Sequence, residues 1–426
     1  MDPKRGALMT AFLVGGLFAA SLPAGASHNE HDHSENTQQT DAVTLRWPVE
    51  TRWVLELVFQ GGLIVGAVQG GQTGPALPNE IPEGGIALFK KGHDGHLKQV
   101  GRLRCKATGE VSIWKNLVLQ GSWQSQGAWA GEPMSDCDRS GLRLIDITDV
   151  TRPHEVKFIP IPCGVMGHAL IPDGRKLYLY APSTCQEQVE GPQGFGLTNE
   201  MTVVRVVPGR PKRSGIATIA NIEPMVGCEW VSAIPQRELA ACAADNRFIL
   251  LDTTDPANPQ PIAESFRTLD HPIQSLAFSW DGSYVAFGAK LRADVTQGTS
   301  ATIVNIEDVT NPVTVGTWTV PVGPGQDQQV YSLSFLPMRD GRPVLLFGHS
   351  KRGMWLVDFT DPATPKEIAH YVLPRLVWAA YWYNGRFYVA DNEARLRAFR
   401  IDGFNRNTVH YFGARYNPHT VIADFK

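Results

Sequence analysis

The stretch GMWLVDFTDPATPKEIAHY (residues 353–371) closes an apolar run on Asp358, places a second aspartate three residues on (Asp361) and sets a proline at Pro365. Three further stretches repeat it: RFILLDTTDPANPQPIAES (247–265), GLRLIDITDVTRPHEVKFI (141–159) and SATIVNIEDVTNPVTVGTW (300–318). Registered on Asp146, Asp252, Asn305 and Asp358, each copy has an aspartate three later (Asp149, Asp255, Asp308, Asp361) and a proline seven later (Pro153, Pro259, Pro312, Pro365). Agreement at three registered positions in four copies marks an internal repeat. The β-branched and apolar residues before the mark predict a short strand. The second aspartate accepts from backbone amides just ahead, in an Asx-type turn, and the proline starts the next extended segment. The unit is a strand–turn–strand corner.

The spacing counts the units. Asp252, Asn305 and Asp358 are 53 apart, and Asp146 lies 106 before Asp252, so a degenerate copy belongs between them. MTVVRVVPGRPKRSGIA (201–217) supplies it with Arg205 at the mark; Lys90 and Arg400 mark further copies upstream and downstream. Seven units result. Each also holds an earlier hairpin, turning at Asp173-Gly174, Asp281-Gly282 and Asn384-Gly385 in the clearest cases, and such dipeptides between alternating apolar runs are strong hairpin signals. Hairpin plus corner makes four antiparallel strands, and radial repetition of four-stranded sheets predicts an all-β, seven-bladed β-propeller. One repeat array over residues 43–426 forms a single domain.

The opening MDPKRGALMTAFLVGGLFAASLPAGAS places Lys4 and Arg5 before a short apolar stretch and small residues ending at Ala26, the layout of a secretory signal peptide over residues 1–26. No later stretch is long and apolar enough for a span. The expectation is an extracytoplasmic protein (secreted, cell-surface or periplasmic) without a transmembrane segment after cleavage. HNEHDHSENTQQTD (28–41) lacks apolar periodicity, so residues 27–42 are expected as a disordered polar leader. His28, His31 and His33 there could hold a metal ion weakly. The net charge is −3 and basic residues form no run, which argues against nucleic acid as partner.

All six cysteines fall in the exported part, and an even count in an oxidising compartment favours disulfides. Cys163 and Cys185 are symmetric about the turn at Gly174, and Cys228 and Cys242 about Pro235. Cys105 and Cys137 then pair by elimination, with Cys137–Cys163 as a rival. Six cysteines allow 15 connectivities.

GLRLIDITD with its following proline resembles the LVIVP repeat of secreted and cell-surface bacterial β-propellers. The stretches WKNLVLQGSW, GCEW, LAACAADNRFILLDTTDPANP, SWDGSYVAFG, RGMWLVDFTDPATPKEIAHY and AAYWYNGRFYVAD occur in the same order as in actinobacterial LVIVP-repeat proteins, from Trp53 onward. The resemblance implies the propeller fold and a surface or secreted location, and implies no reaction. Relatives place histidines at the starts of the innermost strands, whereas here VMGHAL, GCEWVS, PIQSLAF and VYSLSF keep only His168. Glu229, Gln274 and Tyr331 or Ser332 stand at the other places. One His and one Glu fall short of three protein metal ligands.

The axial channel is the default ligand site of such a ring, and His168, Glu229, Gln274, Tyr331 and Trp378 are its expected lining. No catalytic set, metal site or cofactor motif assembles from the sequence. GHSKRG (348–353) has one residue too many for a nucleophile elbow around Ser350 and no helix to follow. Asp136 and Asp138 in SDCDRSG lack the further oxygens of a calcium loop, GHDGH (92–96) suits a hairpin tip, and no phosphate or dinucleotide loop occurs. Trp114, Trp123, Trp129, Trp230, Trp280, Trp355, Trp378 and Trp382 are spread over most blades and are expected chiefly as core. The function expected is a binding scaffold for a protein, glycan or small molecule at the channel face. The alternative is a channel-centred metal-dependent enzyme, either a hydrolase or lactonase, or a copper-dependent oxidase.

Because a domain of this size buries ample core of its own, reduction of the disulfides is expected to lower the melting temperature while leaving the protein folded at room temperature. Thermal denaturation with and without reductant, followed by circular dichroism, checks this.

Overall fold

The structure is a computed structural model describing residues 33–46, 52–70, 84–92, 96–105, 109–122, 140–161, 164–165, 167–182, 186–187, 196–197, 200–225, 227–290, 299–321, 329–373, 376–393 and 395–425. Seven four-stranded antiparallel sheets form the blades of a β-propeller. Blade one comprises Arg52–Gln60, Leu63–Gly70, Gly84–Lys91 and Leu97–Cys105, from the axis outward. The inner strands of blades two to seven are Val111–Trp114, Ala169–Asp173, Trp230–Ile234, Ile273–Phe278, Val330–Leu336 and Val377–Tyr383. Two short 3-10 turns, Pro211–Arg213 and Pro235–Arg237, are the helical elements described, and no helix among the described residues is long and apolar enough to cross a membrane.

Each seam between blades is a hydrophobic layer. Leu119, Leu142 and Leu144 of blade two meet Leu170, Leu177 and Leu179 of blade three, and Phe248 of blade four packs at a tilt on Phe287 of blade five with centroids 4.5 Å apart. Both faces of a blade are therefore buried, which explains near-continuous apolar burial along the middle strands, as in Gly353–Asp358.

The repeat's marks close the third strands, and the corner that follows holds two Asx turns in tandem. Asp146, Asp252, Asn305 and Asp358 each accept from the amide two residues ahead (2.7, 2.8, 3.0 and 2.8 Å). Asp149, Asp255, Asp308 and Asp361 do the same at 2.9, 3.0, 3.0 and 3.2 Å. The corner then docks on its own blade's inner hairpin: the amides of Ile147, Thr253, Ile306 and Phe359 donate to Asn116, Glu238, Ser283 and Pro343. At Asn384-Gly385 the backbone takes φ of 48° and 90°, the two left-handed residues that a tight hairpin turn requires.

Only three strands of blade seven follow blade six. Thr37–Thr44 supplies the fourth, antiparallel to Arg395–Ile401 from Thr37 opposite Ile401 to Thr44 opposite Arg395. The propeller thus reaches back into the segment expected as a disordered leader, and the boundary expected at residue 43 moves to the start of this strand. The strand is an outer edge, where few side chains are buried, so it carries no apolar alternation to betray it. Ser34 and His33 attach just before it, Ser34 N donating to His370 O (3.1 Å) and His33 stacking on Tyr371. The expected signal segment, His28, His31, Asp136, Asp138, Trp123 and Trp129 lie outside the described residues.

The Cys228–Cys242 disulfide is formed. Cys105 is disulfide-bonded as well, while Cys137, Cys163 and Cys185, and with them the other expected pairings, lie outside the described residues.

Deleting residues 1–44 strips the last blade of its outer strand and leaves the edge of Arg395–Ile401 unpaired, an aggregation-prone arrangement. The truncated protein is expected to melt several degrees lower and to self-associate, as read by thermal shift and size-exclusion chromatography. An unchanged melting curve would show that ring closure contributes nothing.

Candidate functional site

After Ile401 the chain does not return to the rim. It crosses the inner strands and contacts every blade. Tyr416 and Arg415 pair with Phe59 and Gln60 of blade one. Asn417 Oδ1 accepts from Ile113 N (2.7 Å) and its Nδ2 donates to Ile113 O (3.1 Å) in blade two. Thr420 Oγ1 accepts from Leu170 N of blade three (2.8 Å), and Val421 N donates to Ala233 O of blade four (2.8 Å). Trp280 of blade five packs on Phe412 and Phe425, His410 N donates to Pro337 O of blade six, and Phe412 N to Asn384 Oδ1 of blade seven. The Arg415 guanidinium lies 3.6 Å over the Trp114 ring.

A turn in this segment, Asn417-Pro418-His419-Thr420, is closed by Thr420 N to Asn417 O (3.0 Å). Proline fits the second position of such a turn, and the turn presents His419 to two carboxylates. His419 Nε2 lies 3.1 Å from Glu56 Oε2 and 3.2 Å from Glu110 Oε1. The ligand atoms of all three lie within 4.8 Å of one another. Glu56 comes from the inner strand of blade one, just past a bulge between Val54 and Glu56. Its Oε1 accepts from Leu57 N (2.8 Å) and its Oε2 from the Tyr381 hydroxyl (3.1 Å). Glu110 precedes the inner strand of blade two and is held by Gly121 N donating to its carbonyl (2.9 Å).

Burial alone disfavours a charged His419, but Glu110 and Glu56 outweigh it and push the imidazole up to about 10. The charged ring thus bridges two buried carboxylates. Glu56 itself is pushed up, because burial exceeds what the bond and charge of His419 give back. Tyr381 rises well above the ordinary phenol range through burial and the neighbouring Glu56.

The expected channel residues occupy the starts of the inner strands. His168 is fully buried and neither ring nitrogen has a hydrogen-bond partner; burial, and then His419, hold it down to about 3. Glu229 is half-buried and paired with Lys290 Nζ (3.0 Å). Gln274 Oε1 accepts from Gln329 Nε2 (2.9 Å). Tyr331 and Trp378 are half-buried, with ring centroids 3.8 Å apart and planes at 34°. Gln274, Tyr331 and Trp378 are the extra residues of equivalent inner-strand bulges, where the register skips from Ile273 to Ser275, Val330 to Ser332 and Val377 to Ala379. A bulge re-aims a side chain, so repeat geometry delivers the three to matching places. The structure therefore forms two groups: Glu229, Gln274, Tyr331 and Trp378 at the starts of neighbouring inner strands, and the buried Glu56–Glu110–His419 cluster, with His168 buried nearby.

Sequence reasoning passed over Glu56, Glu110, Tyr381 and His419. The signals were slight: one carboxylate inside the apolar run WVLELVF, and NPHT beyond the last repeat unit. Ser350 sits in the turn between Val344–His349 and Gly353–Asp358, so it lacks the elbow's helix as expected. Gly92 N donates to His96 O (2.7 Å), the expected hairpin tip. Trp230, Trp355 and Trp382 are buried in the core.

No protein-family model and no curated protein sequence matches the chain. Among solved structures, it is similar to the crystal structure of the computationally designed Ika8 protein, at 11% identity over 84% of this chain and 98% of that chain, with a TM-score of 0.49.

His419→Gln would leave Glu56 buried without its charged partner, a loss of about 3–5 kcal/mol. A raised histidine pKa contributes stability that is full below about pH 6.5 and fades as pH rises toward about 10. The parent is therefore expected to lose stability over that alkaline window, and His419→Gln to lose less. Urea denaturation at several pH values reads both effects, and Glu56→Gln added to His419→Gln is expected to recover part of the loss.

Proposed function

We propose that the protein is an exported binding scaffold of the LVIVP-repeat type that engages a glycan or similar polyhydroxylated ligand at the open mouth of its channel. The observation that carries this reading is the contrast between the two ends. One end is covered by the C-terminal segment, which contacts all seven blades. The other gathers the half-buried Tyr331–Trp378 pair, the Gln274–Gln329 amides and the Lys290–Glu229 ion pair. Aromatic faces offer flat apolar contact with a polar handle, and amides offer both donors and acceptors to hydroxyl groups. This mix suits sugar rings better than a hydrocarbon or a strongly charged ligand.

The rigid setting supports the same reading. Gln274, Tyr331 and Trp378 stand on bulged strand positions of neighbouring blades, so their spacing is set by the sheets and not by loops. Pre-organisation of this kind lowers the ordering cost of binding. Export rests on the layout of residues 1–26 and on the disulfides at Cys228–Cys242 and Cys105. The family assignment rests on the registered Asp and Pro positions and on the quoted stretches that accompany them.

The test is a glycan array probed with the purified protein, followed by tryptophan-fluorescence titration of the strongest oligosaccharide. Trp378→Ala is expected to weaken binding at least about tenfold, in line with a lost stacking contact, without change in the circular dichroism spectrum. Undiminished binding by Trp378→Ala would move the site elsewhere, and steady consumption of the bound oligosaccharide would replace the scaffold with an enzyme.

A further inference from the structure

We propose that Arg386, Arg400 and Arg406, with Arg339 beside them, form an oxyanion site that takes a phosphate group beyond the ends of the inner strands of blades six and seven. The argument begins with positive charge that the protein leaves unbalanced. Arg342, Arg395 and Arg397 of the same two blades each pair with a carboxylate. Among the described residues, Arg339, Arg386, Arg400 and Arg406 form no such pair. They fall far apart in the chain, so no basic run announces them.

Two of them are forced together. Arg386 and Arg400 flank the cross-strand pair Phe387–Phe399 on the two middle strands of blade seven, so they stand side by side at one level of the sheet. Like charges placed opposite one another on adjacent strands repel. Burial, and then the Arg400 charge, hold Arg386 below the usual guanidinium range. A bound anion would relieve that repulsion.

The other two are fixed by the C-terminal segment. The Arg406 guanidinium lies 5.1 Å over the Tyr411 ring, a cation–π contact. Thr408 N donates to Asn405 O (3.1 Å) and Asn405 N to Thr408 Oγ1 (3.0 Å), which closes the turn that carries Arg406. Arg339 follows the inner strand of blade six and donates its amide to Thr408 O (2.9 Å) and its Nε to Arg406 O (2.7 Å). Tyr411 joins the two halves, because its hydroxyl lies against Gly385, the neighbour of Arg386. Burial, and then the Arg339 charge, hold His410 below the usual imidazole range.

A guanidinium presents paired N–H donors that match the edge of a phosphate. Several of them without carboxylates favour a tetrahedral oxyanion over a cation or a neutral sugar. Arg339, Arg400 and Arg406 are exposed and Arg386 is half-buried, so the group enters from solvent and its binding is salt-sensitive. Gln274, Tyr331 and Trp378 lie at the starts of inner strands, at the opposite ends, so this site stands independently of what they bind.

The test titrates the full chain with pyrophosphate by calorimetry at about 20 mM salt, where screening is weak. Binding is expected at or below about 0.1 mM, and the melting temperature is expected to rise with pyrophosphate as mass action requires. Arg386→Gln combined with Arg400→Gln should weaken binding at least about tenfold through lost charge-assisted bonds. Arg205→Gln combined with Arg213→Gln, the same charge change on blade three, should leave binding unchanged. The blade-seven pair removes a repulsion, so that variant is expected to melt no lower than the parent, which separates lost binding from lost fold. Sedimentation with phosphatidylcholine vesicles containing phosphatidylglycerol distinguishes the sources. Vesicle binding that the blade-seven pair abolishes identifies a lipid headgroup, and pyrophosphate binding without vesicle binding identifies a soluble phosphate ester. Binding of neither probe overturns the proposal, as does binding that the blade-seven pair leaves unchanged or that the blade-three pair weakens equally.

Discussion

Antiparallel pairing between Thr37–Thr44 and Arg395–Ile401 is the contact on which the ring depends. Every other blade is built from strands that follow one another closely in the chain, and each could form its sheet locally. The last blade cannot. Its outer strand arrives from the far end of the sequence, in one bond joining residues 358 positions apart. Without it the seventh sheet would end on an open edge, and the layers that bury both faces of every blade would lose their mutual support. The C-terminal segment reinforces this constraint from the axis, because its bonds and ring contacts reach inner strands or inner turns of all seven blades.

What could be read from the amino acids was local. Asp149, Asp308 and Asp361 bond to amides two residues ahead, so their meaning fits inside a short window, and the window recurs. Asn384-Gly385 likewise declares its own turn. The Cys228–Cys242 bridge spans one hairpin, within reach of a symmetry argument. From such pieces the blade count followed. His419, Glu56 and Glu110 were not legible because their meeting is global: His419 and Glu56 lie 363 positions apart, and neither neighbourhood repeats. A lone carboxylate in an apolar strand reads as a surface position until the strand opposite is known. The closing strand was hidden for another reason. At a sheet edge with few buried side chains, alternation gives no signal, so its polarity looked like disorder.

The inner-strand bulges link architecture to the two ends of the channel. In blades five, six and seven the extra residue places Gln274, Tyr331 and Trp378 at equivalent positions of neighbouring inner strands. In blade one the equivalent irregularity precedes Glu56, and the side chain that follows it turns to the tail. The same local device serves a half-exposed aromatic in one blade and a buried carboxylate in another. The difference lies in what the C-terminal segment covers. His168 shows it well: it precedes an inner strand as Glu229 does, yet it is fully buried, and Leu170 two residues on donates its amide to Thr420 of the tail.

Thr37–Thr44 must wait for its partner through the making of nearly the whole polypeptide. During that interval it is a solitary ribbon with unspent amides and carbonyls, while six complete sheets mature beside it. An oily ribbon in that position would seize the nearest open sheet, its own or a neighbour's. TQQTDAVT is too hydrophilic to do so, and becomes a good partner only where Arg395–Ile401 offers a matching register. The blandness of the segment is thus a timing device: it keeps the first strand idle until the last one exists.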